Sequence, residues 1–112
     1  MATIRVYEGA PYGTPILTVK DGLVFEGTAI SGALLYTIAG DTLREGFGPS
    51  GRILANLRGE RVFAGYAPSG SPLATIDGDH AFEGMGPSGS IMVSSSPGDA
   101  RAIMAGVWHV VG

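Results

Sequence analysis

Carboxylates recur along this chain at suggestive places. Glu8, Glu26, Glu45 and Glu83 each precede a glycine, while Asp41, Asp79 and Asp99 each follow one. Repeated acids are the raw material of calcium sites and of paired acid and base catalysis. Calcium, however, gathers roughly six to eight oxygens within one tight loop. Here each turn supplies one or two carboxylates, even with Asp21 and Glu60 added. Turn chemistry accounts for them better, because short acidic side chains bond nearby backbone N–H groups. Acid and base catalysis needs two carboxylates in different environments. The glutamate column repeats one environment and lapses to Ala64 in its fourth copy, so a structural role is expected, with Arg44, Arg61 or turn N–H groups as partners. His80 and His109 are far apart in sequence and have no nucleophile motif around them, and the chain contains no cysteine. The Gly-Pro-Ser-Gly runs lack the lysine and helix start that give phosphate loops their anion affinity. The expectation is therefore a protein that is not an enzyme, with no catalytic residue, no cofactor and no metal.

Aromatic residues offer a different chemistry. Tyr12, Phe47 and Tyr66 lie near turns, and Trp108 is the single tryptophan. An exposed ring is a stacking platform for a sugar, and repetition multiplies weak affinities. These four residues are the candidate ligand-binding set, with a glycan as the candidate ligand.

Charge narrows the partners. The net charge is −3, and Arg5, Lys20, Arg44, Arg52, Arg58, Arg61 and Arg101 are scattered singly. Nucleic acid rewards clustered cations, so it is not an expected partner. The start, MATIRVYEG, has neither the basic nor the apolar region of a secretion signal. No apolar run reaches the roughly 18 residues of a membrane span. A soluble protein without membrane contact is expected, either cytoplasmic or incorporated into an assembly.

These side chains are placed by a repeat. Gly27, Gly46, Gly65 and Gly84 are 19 residues apart, as are Gly13, Gly32, Gly51, Gly70 and Gly89; the step from Gly9 to Gly27 is one short. Five copies occupy about residues 2–20, 21–39, 40–58, 59–77 and 78–96, within a single domain spanning 1–112. Each copy holds two strand-length runs, such as LVFEG and LLYTI, rich in β-branched and aromatic residues and bounded by glycine. Helix is not expected. The reading is an all-β antiparallel meander of five hairpin repeats that closes or folds over as a barrel or sandwich; a β-solenoid with one repeat per rung is the alternative.

Asp77-Gly78 has the composition of a two-residue type I′ turn, with Arg58-Gly59 and Ala39-Gly40 in the same slot. That loop would set Ile76 opposite Asp79 and Leu73 opposite Phe82. One face would then carry Leu35, Leu54 and Met92 with Phe25 and Phe63. The other would carry Val24, Leu43, Val62, Ile38, Leu57 and Ile76. With both faces apolar, something must cover the second.

The tail, residues 97–112, breaks the rhythm and reads as a strand-like capping or interface segment. It is expected either to pair with the N-terminal run TIRVY or to leave an edge for another chain. Ile4, Val6, Val107, Trp108 and Val110 are the candidate interface. Function follows as a structural or assembly protein that forms homo-oligomers or joins a larger complex, such as a virion, surface or appendage component. A repeat carbohydrate-binding module is the alternative.

Overall fold

The computed structural model describes residues 3–9, 15–28, 32–46, 48, 51–65, 72–83, 91–96 and 98–111. Ten strands follow one another: β1 (Ile4–Glu8), β2 (Leu17–Lys20), β3 (Leu23–Glu26), β4 (Leu34–Ala39), β5 (Thr42–Glu45), β6 (Ile53–Arg58), β7 (Arg61–Ala64), β8 (Ala74–Asp77), β9 (His80–Glu83) and β10 (Ile91–Ser96). Each pairs antiparallel with its sequence neighbour, and β10 returns to β1, so the sheet is a closed barrel. The meander and its closure agree with the sequence reading.

The tail does not. Ala100–Val111 forms a helix, α1, instead of a strand. Asp99 starts it: its Oδ1 accepts the backbone N–H of Arg101 at 2.9 Å and of Ala102 at 3.0 Å. This is the side-chain cap that satisfies otherwise orphaned helix donors. Six consecutive residues, Ala102 to Val107, are buried, which requires protein on every side of the helix. They find it inside the barrel, where α1 packs against β1 and β10 on one wall and β6 on the opposite one. The helix is the core that the barrel closes around. β1, expected as an edge to be paired by the tail, is instead held by β10 and β2.

Three columns of wall residues face this helix, each stepping through the repeats. The first is Val6, Val24, Leu43, Val62 and Ala81, and the second contains Leu17, Ala55, Ala74 and Val93; all of these are fully buried. The third is Val19, Ile38, Leu57 and Ile76, ending at Ser95. Ser95 Oγ accepts the N–H of Asp99 at 3.0 Å and so ties the wall to the start of the helix. Gly106 lets the helix come close: a Cβ there would meet Val6 Cγ1 at 2.5 Å and Val93 Cγ1 at 2.7 Å.

The tight turns correct the expected register. Asp77 pairs with His80 and Ile76 with Ala81, so the loop is Gly78-Asp79, one position later than expected. Gly40-Asp41 and Gly59-Glu60 are the loops of the neighbouring turns. In each the glycine has positive φ, 61°, 61° and 68°, and the acid does not. A type II′ turn makes that demand of its first central residue only. Asp21-Gly22 differs, with both residues positive at 54° and 78°, the type I′ pattern. Because the loop moved by one residue and the pairing by two, side-chain parity is preserved, and the column of Val24, Leu43, Val62 and Ile76 keeps its common face.

The second apolar column has a different fate from the one expected. A β-bulge falls at Leu35, at Leu54 and at Met92. An extra residue in one strand re-aims its side chain. Leu54 lies in the central core, and Ile16, Leu35, Leu73 and Met92, at equivalent positions, pack against it. The outer face keeps half-buried rings such as Phe25 and Phe82. The bulges thus bring Leu35, Leu54 and Met92 of the supposed second face to the core.

Candidate functional site

The two ends of the barrel are chemically unlike. At the end carrying the tight turns, acids that the sequence offered as metal ligands have local tasks. Asp41 Oδ1 lies 3.4 Å from Arg101 Nη2, Asp79 Oδ1 lies 2.9 Å from His80 Nδ1, and Asp99 caps α1. Among the described residues no three His, Asp or Glu side chains come together as a metal group. Beside the first turn of α1 opens a cleft of about 330 Å³. Ile4, Val19 and Ile38 form its apolar lining, and Asp21, Asp99 and Arg101 its polar one. Ile4 therefore belongs to this mouth.

At the other end the helix emerges. Trp108 and His109 are half-buried, whereas Val110 and Val111 are 39% and 43% exposed, the exposed large apolar side chains among the described residues. Tyr36, opposite Glu45 at the end of β5, has its Oη 3.1 Å from His109 Nδ1, with the rings edge to face. Burial, and secondarily the charge of Glu26, raise the Tyr36 phenol above its ordinary value of 10.0. The ring contact pins the last turn of the helix to the wall.

Of the residues the sequence singled out, Trp108 and Val110 stand at this emerging end. Val6 and Val107 are fully buried inside the barrel, Val6 on the inner side of the closed wall and Val107 on the helix that fills it. Tyr12, Phe47 and Tyr66 lie outside the described residues. The glutamates Glu8, Glu26, Glu45 and Glu83 are exposed at strand ends; Glu45 is 3.9 Å from Arg52. Arg44 instead donates from Nη1 to the Gly51 carbonyl at 3.1 Å.

A polar column also escaped the sequence reading. Thr18 donates to the Gly27 carbonyl at 2.8 Å, Thr37 to that of Gly46 at 2.7 Å, Asn56 to that of Gly65 at 2.8 Å, and Ser94 to that of Gly9 at 2.5 Å. The donors recur every 19 residues or a multiple of it, and the last bond joins the fifth repeat to the first. Their signal lay in the sequence, a hydroxyl or amide at one phase of the repeat, but it was lost among the apolar runs on either side. The arrangement secures each strand end where the longer connections begin, and it carries no chemistry of its own.

Comparison with known proteins gives a consistent result. Neither a curated protein nor a solved structure matches this chain. A family model described as 6-fold beta flower protein matches residues 2–104, covering all five strand pairs and the first part of α1. The chain belongs to the 6-fold beta flower family.

Proposed function

We propose that the protein is a non-enzymatic structural module that associates with copies of itself through the end of the barrel where α1 emerges. The observation that carries this reading is the exposed pair Val110 and Val111 at the tip of a helix that is otherwise the core. The barrel's interior is occupied by its own helix, and its strands are paired all round. Contact with other molecules is then left to the ends and the outer wall. An apolar tip on a rigidly held helix suits an interface better than a solvated surface.

Light scattering coupled to size exclusion tests this. The doubly substituted Val110→Lys, Val111→Lys protein is expected to show a smaller mass than the unmodified chain while keeping its melting temperature. A monomer before substitution, or an unchanged mass after it, removes the proposal. Trp108, half-buried at the same end, supports glycan binding as a second reading. A glycan array would show that as binding lost in Trp108→Ala.

A further inference from the structure

The opposite end carries a separate inference. α1 lies against β1, β10 and β6 and does not sit symmetrically in the barrel. At the tight-turn mouth this leaves the side nearest β2 and β4 unfilled, where the cleft runs from Val19 to Ile38 beside the first helical turn. Its volume, about 330 Å³, is near the lower end of the roughly 300–1,000 Å³ typical of small-molecule sites. The floor is hydrocarbon from Ile4, Val19 and Ile38.

Charge at the mouth has one sign in excess. Arg101 is engaged by Asp41 at 3.4 Å. Asp99, which also lines the mouth, spends its Oδ1 on two helix N–H groups. Asp21, exposed on its turn, has no ion pair among the described residues. Two carboxylates, Asp21 and Asp99, and one guanidinium already paired with Asp41 thus line the cleft beside its apolar floor. An anionic ligand would have to displace Asp41 from Arg101, whereas a cation meets an unengaged carboxylate.

We propose that this cleft binds a compact organic cation, an amine with a short alkyl or aryl body, whose ammonium is held by Asp21 and whose hydrocarbon lies on Ile4, Val19 and Ile38. Such a site is independent of self-association at the far end. The small contact area implies an affinity of about millimolar.

The test is an amide NMR titration of the full chain with hexylammonium, hexanoate and hexanol as probes. Hexylammonium is expected to give saturable shifts at Gly22, Gly40 and Arg101, with hexanoate and hexanol weaker by roughly tenfold, since a charge-assisted hydrogen bond is lost. Asp21→Asn is expected to weaken hexylammonium by a similar factor. Asparagine tolerates the positive φ at this position, so the turn is retained. Added salt should weaken binding to the unsubstituted protein, an arm that needs no variant. Equal binding of hexanoate, shifts centred on Trp108, salt-independent affinity, an unaffected Asp21→Asn protein, or no saturable shift would each overturn the proposal.

Discussion

The wall of the barrel is made five times over, and the helix inside it is made once. The wall units repeat the same inward columns, three of them share a bulge at one position, and four share the bond from a polar side chain to a glycine carbonyl. The helix has single versions of everything: one cap at Asp99, one close approach at Gly106 and one ring contact at His109. Repetition spreads the stabilisation of the wall over equivalent contacts, whereas a unique element concentrates its own in a few atoms. Substitutions on either side measure how far this contrast goes.

The largest effect expected is from Leu54→Asp. It places a charge at a bulge position packed into the core, and the cost of an unpaired buried carboxylate exceeds what one marginally stable domain can lose. Loss of the folded near-UV circular dichroism signal checks it; a folded protein would mean that the bulge column is not core. Gly106→Ala comes next and has a sign as well as a size. Helix propensity alone would stabilise by about 1 kcal/mol. The valine methyls of β1 and β10 stand in the way, so urea unfolding should instead show a loss of about 1–3 kcal/mol. A gain would show that the helix can move off the wall, and so is less tightly held than its burial suggests.

Thr18→Val should cost less, about 1 kcal/mol, by removing one hydrogen bond of the polar column. Because the members of that column are separated around the ring, a second substitution at Asn56 should add to it nearly independently. Strong non-additivity in chemical denaturation would show that the wall acts as one unit. Tyr36→Phe is the smallest. Its phenol is raised above 10.0, mainly by burial, so the neutral form is favoured in the folded state. Its contribution is complete below the unfolded value of about 10 and is lost as pH rises through the folded one. Melting temperatures measured from pH 9 upward should fall less steeply in Tyr36→Phe than in the unmodified chain.

These elements were unequally legible in the sequence. Period and glycine placement sufficed for ten strands and their antiparallel order, because each hairpin is closed by local turn chemistry. The bulges at Leu35, Leu54 and Met92 could not be seen. A bulge changes which way a side chain points without changing the apolar pattern, so these three were assigned to a second face where the fold brings them to the core. The helix was missed for a related reason. Ile103, Val107, Trp108 and Val110 are good strand residues, and a helix buried on all sides lacks the polar stripe that marks an amphipathic one. The signals that remained were Asp99 in a capping position after Pro97-Gly98 and the alanines that follow. As for the sites, Trp108 stands out in the sequence as a single ring, but its half-buried place on α1 could not be read there. Nor could the cleft, because it is assembled from β1, β2, β4 and α1.

The pairing of β1 with β10 sets Arg5 beside Ser96, close to the full length of the chain apart, while the other strand pairs join sequence neighbours. The neighbouring pairs form rapidly because their loops are short, whereas the last bears nearly the whole entropic cost of bringing distant segments together. The helix that fills the barrel follows β10 in the chain, so the ring must close around a segment that becomes available only after the wall is complete. Closure and helix insertion are therefore expected to be coupled, with that joint step limiting refolding. Substitutions at the β1–β10 seam should slow refolding, while those in the middle hairpins should mainly hasten unfolding.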